Sequence, residues 1–359
     1  MNPWLAVMLV LTAGGLADAK MVLGFCATQW QCEFMKKTAL LLLFLAVFSR
    51  AIFGADSVDE LKKKAEAGDA TAQFNLGVTY DNGDGVQKDS AEAAKWFRKS
   101  AEQGNADAQY NLGVGYDNGN GVQKDSAEAV KWYRKSAEQG NAPAQNNLGL
   151  SYANGDGVQK DSSEAAKWLR KSAEQGYADA QCSLGVMYAN GNGVQKDSAE
   201  AAKWLRKSAV QGQTMAQFCL GVMYTNGDGV QKNSAEAAKW YRKSAEQGTA
   251  DAQNNLALSY ANGDGVQKDS AEAAKWYRKS AEQGNADAQC SLGVMYANGI
   301  GVQKDSVQAH AWMNNASANG NEGAKKNLSI MEKSMTPEQK AEATKLAREI
   351  FERIEAKKK

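Results

Sequence analysis

One block of 36 residues runs seven times without a gap between Ala70 and Asn321. Its clearest copy opens Ala106-Asp-Ala-Gln-Tyr-Asn-Leu-Gly and closes on Gly140-Asn141. The other copies begin at Ala70, Ala142, Ala178, Thr214, Ala250 and Ala286. Ala-Gln, Leu, Tyr, Asn-Gly, Gly-Val-Gln-Lys, Ala, Trp and Gly return each time at the same offsets. A length of 359 residues would ordinarily suggest two or three globular domains, but internal repetition overrides that expectation. A repeat of this size buries its apolar face only against its neighbours, so the period predicts a solenoid. Solenoids present surface more often than they carry chemistry.

The residues within one repeat predict two helices. Asn105 is a natural N-cap for the first, helix A, and Asp107 suits the positive end of its dipole. Ala108, Leu112 and Tyr116 then form one stripe at i, i+4 and i+8. The residue after this leucine is Gly in six of seven copies, with Ala257 the exception. A mid-helix Gly costs about 1 kcal/mol relative to Ala, so its recurrence predicts close approach of the paired helix. Asn118-Gly119 ends helix A through a left-handed glycine. Gly121-Val122-Gln123-Lys124 makes the turn, Asp125 caps helix B, and Glu128 completes a capping-box pattern. Ala129, Trp132/Tyr133, Ser136 and Ala137 are its apolar stripe, and Gly140 stops it. Trp132 recurs as Trp96, Trp168, Trp204, Trp240, Trp276 and Trp312. A tryptophan on the same helical face of every repeat reads as the large knob of the inter-repeat core rather than an aromatic cage or glycan platform.

The ends of the chain differ from its middle. Residues 1–34 read as an upstream extension or a misassigned start, and 35–55 as a signal peptide or anchor. Met35-Lys36-Lys37 is a short positive region, and Thr38 to Phe48 is an apolar run too short to span a bilayer comfortably. Ser49-Arg50-Ala51 and Gly54-Ala55 offer small residues for cleavage. An alternative first segment, Leu5 to Leu16, lacks leading Lys/Arg, and Leu23-Gly-Phe-Cys26 is a poor lipoprotein box. Residues 56–69 predict an N-terminal capping helix, matching helix B of a missing preceding repeat. Residues 322–359 predict C-terminal capping helices. Glu322 to Lys333 resembles a helix A without its motif, and Thr336-Pro337-Glu338 opens a last helix through Leu346, Ile350 and Ile354.

Charge narrows the partners. The first 55 residues hold four of the 42 Lys/Arg and two of the 41 Asp/Glu, leaving 38 bases against 39 acids. That balance argues against nucleic acid, which requires a basic stripe, and against a polybasic membrane anchor. Membrane contact is expected only through an uncleaved N-terminal segment.

No motif predicts catalysis, a metal or a cofactor. The one histidine, His310, stands where other repeats have Ala94 or Val130, with no evident partner for acid–base work. Cys182 and Cys290 lie three repeats apart, and adjacent repeats could bring Cys182 near Cys219; free thiols are expected. Asp81-Asn-Gly-Asp-Gly-Val-Gln-Lys-Asp89 evokes a calcium loop but lacks the alternating oxygen ligands and the closing Glu. Its Gly-x-Gly follows a helix, so it fails as a dinucleotide or phosphate loop.

The pattern Ala-x-Ala-Gln-x-Asn-Leu-Gly, continued through Tyr116, Gly119, Gly121-Val122, Asp125, Trp132 and Gly140, resembles the Sel-one-like repeat family, a branch of the tetratricopeptide-type solenoids. The resemblance covers residues 70–321. It implies an all-α fold: antiparallel helix pairs in a right-handed α-solenoid superhelix, seven repeats with terminal capping helices. It also implies a non-enzymatic adaptor for a protein or peptide, periplasmic or secreted, and expected here as a monomer. Some relatives are linked to β-lactams, so a weak hydrolase is one alternative; an envelope structural or glycan-binding protein is another.

Candidate partner-binding residues come from what varies between repeats. One place in helix A reads Phe74, Tyr110, Asn146, Cys182, Phe218, Asn254 and Cys290, and the next Asn75, Asn111, Asn147, Ser183, Cys219, Asn255 and Ser291. A third reads Thr79, Gly115, Ser151, Met187, Met223, Ser259 and Met295. By resemblance to tetratricopeptide grooves, Asn75, Asn111, Asn146, Asn147, Asn254 and Asn255 are expected on a concave helix-A face, able to clamp a peptide backbone through their amides. Phe74, Tyr110 and Phe218 are expected to add apolar contact. The competing expectation is a solvated face that merely drifted.

Overall fold

The computed structural model of the chain describes residues 58–358; the expected signal peptide or anchor at 35–55 and the expected extension at 1–34 lie outside them. Every element among the described residues is helical. Residues 58–66 form α1. The seven A helices are α2 (Ala70–Asn82), α4 (Ala106–Asn118), α6 (Ala142–Asn154), α8 (Ala178–Asn190), α10 (Thr214–Asn226), α12 (Ala250–Asn262) and α14 (Ala286–Asn298). The B helices are α3 (Ser90–Glu102), α5 (Ser126–Glu138), α7 (Ser162–Glu174), α9 (Ser198–Val210), α11 (Ser234–Glu246), α13 (Ser270–Ala281) and α15 (Ser306–Ala318). Two helices close the chain, α16 (Glu322–Met331) and α17 (Pro337–Lys358). None is long and apolar enough to cross a membrane. The chain divides into two compact bodies between Lys124 and Asp125. In the first, α2 packs on α3 and α3 on α4; in the second, each helix from α5 to α15 packs on the next. The chain is an α-solenoid of antiparallel helix pairs.

The caps explain why each helix begins and ends where it does. Asn105 Oδ1 accepts from Ala108 N at 2.9 Å, and Asn141, Asn285 and Asn321 repeat that bond. Helix A of the fourth repeat stops at Gly191, whose φ of 77° is left-handed and whose N–H donates to Met187 O. At helix B the structure departs from the capping-box expectation. Asp89 Oδ1 does accept from Ala91 N and Glu92 N. The Asp89 N–H, however, already donates to the carbonyl of Tyr80 at 2.9 Å, and Asp161, Asp197 and Asp269 do the same to Tyr152, Tyr188 and Tyr260. With that donor taken, Glu92 turns to Lys95 at 2.8 Å instead. Such exposed pairs contribute little, about 0.3–0.5 kcal/mol each.

The core is made of the constant residues. Leu148, Leu184, Leu220, Leu256 and Leu292 are fully buried, with Ala144, Ala180, Ala216, Ala252 and Ala288 beside them. Trp96, Trp168, Trp204, Trp240, Trp276 and Trp312 are 3–9% exposed, the core knobs the sequence predicts; Trp132 is half-buried. Each Trp of α3, α7, α9, α11 and α13 carries a lysine ammonium over its ring, at 3.9 Å for Lys99 and 4.2 Å for Lys207. The recurrent helix-A glycine is also explained. A Cβ on Gly185 would stand 2.7 Å from Leu205 Cγ, and one on Gly221 2.6 Å from the Tyr241 ring.

Neighbouring repeats are joined by buried side-chain hydrogen bonds as well as apolar contact. Gln181 Nε2 donates to Ala173 O of the preceding helix B at 3.0 Å, and Gln217, Gln253 and Gln289 make the same bond. Gln211, Gln247 and Gln283 in turn donate to the Oε1 of Gln181, Gln217 and Gln253. Within the fourth repeat Ser208 Oγ donates to Ala178 O at 2.6 Å and ties helix B to its own helix A. Arg170 donates to the Tyr188 hydroxyl of the next repeat at 2.6 Å, and Arg206 does so to Tyr224. A buried polar group left without a partner costs roughly 1–3 kcal/mol, so these satisfied chains make the stacking register specific.

At the C-terminal end α17 lies against α15. Ala347, Ile350 and Ile354 are buried there, and Asn315 Nδ2 donates to both Ala311 O and Ala347 O at 3.0 Å.

Candidate partner-binding site

The residues singled out from the sequence fall into two groups, one in each body. In the first body Phe74 is half-buried on α2, its ring 6.0 Å from that of Phe97 on α3 and tilted by 40°. Asn75 is exposed, and its backbone carbonyl accepts from Thr79 Oγ1. Tyr110 and Asn111 are half-buried on α4. Asn111 lines a cavity of about 240 Å³ with Phe97, Val78, Asp81 and Asn120. Phe97 therefore touches Phe74 of its own repeat and shares a cavity with Asn111 of the next.

The second body repeats this arrangement. Phe218 on α10 sits 6.2 Å from the ring of Tyr241 on α11. The Tyr241 hydroxyl reaches Thr225 Oγ1 at 2.9 Å and also hydrogen-bonds Asn255 of the following repeat. Burial pushes the Tyr241 hydroxyl pKa upward, and its bonds to Thr225 and Asn255 pull against that shift. The paired asparagines serve one another: Asn146 Nδ2 donates to Asn147 Oδ1 at 3.2 Å, and Asn254 Nδ2 to Asn255 Oδ1 at 3.3 Å. Asn146 is buried, and its Oδ1 has no partner in the protein. Asn75 alone among the nine candidates is exposed; the others are half-buried, or in Asn146's case buried.

Sequence reasoning missed the helix-B member of this arrangement. The residue after each Trp reads Phe97, Tyr133, Leu169, Leu205, Tyr241, Tyr277 and Met313, as variable as the helix-A places. The structure pairs it with the first variable place of its own repeat and the second of the next; Tyr277 bonds Ser291 as Tyr241 bonds Asn255. The signal was present, but only a contact between helices shows that two variable columns form one layer.

The residues weighed for chemistry have structural partners. His310 is 3% exposed on α15, and its Nε2 lies 3.1 Å from Glu332 Oε1, a partner the sequence did not reveal. Cys182, Cys219 and Cys290 are free. Burial, followed by the neighbouring Cys219 and Asp179, pushes the Cys182 thiol up to about 12, so it is held as an unreactive thiol. In the calcium-like loop Asn82 Nδ2 donates to Asp84 Oδ2 at 3.2 Å while Asp89 caps α3. Among the described residues, no three His, Cys, Asp or Glu side chains converge as a metal site would require.

Seven consecutive matches to the Sel1 repeat tile residues 70–105, 106–141, 142–177, 178–213, 214–249, 250–285 and 286–321. The chain belongs to the Sel1 repeat family. A Sel1 repeat protein from Oxalobacter formigenes is 33% identical, with 87% of this chain and 92% of that one aligned and a TM-score of 0.63. The structure of c5321, a protective antigen of uropathogenic Escherichia coli with an SLR fold, is 36% identical over 84% of this chain and 80% of its own, at a TM-score of 0.44. The secretory immunoglobulin A-binding protein EsiB of Escherichia coli O6:H1 is 39% identical over 66 residues, 18% of this chain and 14% of that protein. The chain thus spans about one seventh of the length of this curated relative. Sel1-repeat scaffolds are generally protein-interaction modules and typically not enzymes.

Proposed function

We propose that the protein is a non-enzymatic adaptor that holds a protein or peptide on its helix-A face, and that it acts in the bacterial envelope or outside the cell. The export part of this reading rests on the sequence at 35–55 alone. The binding part rests on one observation: the variable residues are gathered into layers. In each body a helix-B aromatic joins a phenylalanine of one repeat to an asparagine of the next, Phe97 between Phe74 and Asn111 and Tyr241 between Phe218 and Asn255. The constant residues are consumed by stacking, so partner choice falls to these layers. A half-buried carboxamide beside an aromatic ring offers a donor and an acceptor to a peptide bond and an apolar wall to the side chain that follows.

The reading is tested in two steps. In vivo crosslinking followed by mass spectrometry identifies the partner, and the purified partner is then titrated against wild type, Asn111→Ala and Asn255→Ala. We expect each substitution to weaken binding by roughly tenfold, the loss of one or two well-placed hydrogen bonds. Unchanged affinity in both variants would refute the helix-A face as the site. N-terminal sequencing of the mature protein tests export separately.

A further inference from the structure

The helix-B face of the fourth repeat departs from its counterparts in a way that stacking does not require. The last residue of α9 is Val210, where α3, α5, α7 and α11 end in Glu102, Glu138, Glu174 and Glu246. Val210 is 67% exposed, and Met215, across the same turn where Asp107 and Asp179 stand in other repeats, is 48% exposed. Two acids are therefore replaced by apolar side chains in open view.

The consequence is visible by comparing one groove in two repeats. Beside α3, Lys95, Arg98, Lys99, Glu102 and Val122 line a groove of about 460 Å³. Beside α9 the equivalent groove is about 680 Å³ and is lined by Lys203, Trp204, Arg206, Lys207, Val210 and Val230. Where the first is bordered by a carboxylate, the second is bordered by an isopropyl group, and the tryptophan contributes to its wall. The groove's far wall is fixed, because the turn bearing Gly229 and Val230 sits on α9: a Cβ on Gly229 would fall 1.9 Å from Ser198 O.

Its charge is one-sided. Glu200 is the sole acid in the lining and pairs with Lys203 at 2.8 Å. Arg206 donates to a neutral tyrosine hydroxyl, and Lys207 rests 4.2 Å from the Trp204 ring centroid. Arg206 and Lys207 thus face the groove without an ion-pair partner, Glu200 being engaged by Lys203, next to an apolar floor.

We propose that this groove docks an acidic segment of a partner protein, with one apolar side chain seated on Val210 and Val230 beside the edge of Trp204 and flanking carboxylates facing Arg206 and Lys207. The site is separate from the helix-A face and stands whether or not that face binds. A peptide is favoured over a lipid surface because the feature is a single groove set among repeats whose exposed bases are balanced by acids.

The test uses the full chain and a fluorescein-labelled eight-residue peptide with Asp and Glu flanking one leucine, followed by anisotropy at low salt. Saturable binding that weakens with added salt is expected. Val210→Glu, which restores the residue other B helices carry and should leave the fold intact, is expected to lower affinity at least tenfold. Glu102→Val is expected to add a second equivalent site. A leucine-to-serine peptide should bind markedly less. No saturable binding of the leucine peptide, an unchanged affinity in Val210→Glu, an unchanged stoichiometry in Glu102→Val, or association with phosphatidylglycerol vesicles in preference to the peptide would each overturn the proposal.

Discussion

The two glycines of the Asn-Gly-x-Gly turn look equivalent in sequence and differ sharply in the structure. Both are left-handed in the fourth repeat, Gly191 at φ 77° and Gly193 at φ 68°. Replacing either by Ala forces an L side chain into that region, at about 1–2 kcal/mol, partly offset by the less flexible unfolded chain. For Gly191 little is added: its Cβ would stand 3.2 Å from Lys196 Cβ, relieved by a shift of a few tenths of an ångström. For Gly193 the Cβ would lie 1.9 Å from Ser162 O, a backbone atom of the preceding helix B. Reaching even 3.0 Å means moving the turn about 1.1 Å off α7. That is overpacking against a wall that cannot rotate away, worth a further 1–3 kcal/mol. We therefore expect Gly191→Ala to lose about 1 kcal/mol and Gly193→Ala about 3 kcal/mol. Urea denaturation followed by far-UV circular dichroism would measure the difference, fitted with a nearest-neighbour scheme because long arrays depart from two-state behaviour. If the two variants agreed within about 0.5 kcal/mol, the turn of one repeat would not rest on helix B of the one before it, and our account of repeat stacking would be wrong.

Two further outcomes follow from the buried groups. Gln217→Leu removes a donor to Ala209 O and the acceptor of Gln247 Nε2, but Ala209 O keeps its bond from Gly212 N and Gln247 keeps Gly212 O. The expected loss is accordingly about 1–2 kcal/mol rather than the larger penalty of a stranded group, measurable by the shift in urea midpoint. The buried thiols set an alkaline limit: the folded pKa of Cys182, about 12, lies above the unfolded value of roughly 8.5. Its contribution is therefore complete below that unfolded value and is lost as pH rises towards the folded one. The urea midpoint should hold near neutrality and fall above about pH 9. A Cys182→Ala chain should show a smaller fall, and native Cys182 should resist alkylation at pH 8.

Local rules carried far in this sequence because they recur from repeat to repeat, with only Tyr177 and Thr249 giving helix A no side-chain cap. Asn105 and Asp125 are caps, Gly119 is a left-handed stop, and Pro337 opens the last helix, as the residues imply. The failures lie where the partner helix of the same repeat, or a segment beyond the array, intervenes. Glu92 was expected to close a capping box, yet the donor it needed belongs to Tyr80 O across the turn. Variation at Phe74 and Phe218 suggested surface freedom, yet both rings lie against helix B. His310 was read without a partner because Glu332 lies outside the repeat pattern. Each case involves a contact between segments whose spacing is not a helical period, and periodicity alone does not report such contacts.

This separation of constant and variable residues bears on where specificity can arise. A Gln–Gln–carbonyl chain, an Arg–Tyr bond and a buried Leu together fix one repeat on the next, while a Ser-to-carbonyl bond closes each helix pair. Altering any of them changes register before it changes recognition. Much of the variation between repeats accordingly falls in the helix-A layers, the residue after each Trp and the rim of the helix-B groove, with the rest at the helix-A N-cap and the turn. The third and sixth repeats illustrate the limit: both carry an Asn pair and an exposed leucine, Leu150 at 37% and Leu258 at 47%. The same asparagine pair and leucine are thus presented twice, three repeats apart in the second body, beside Leu169 in one copy and Tyr277 in the other. Because stacking energy is approximately additive along such an array, changing a rim residue in one copy should leave the other copy's stability and surface untouched.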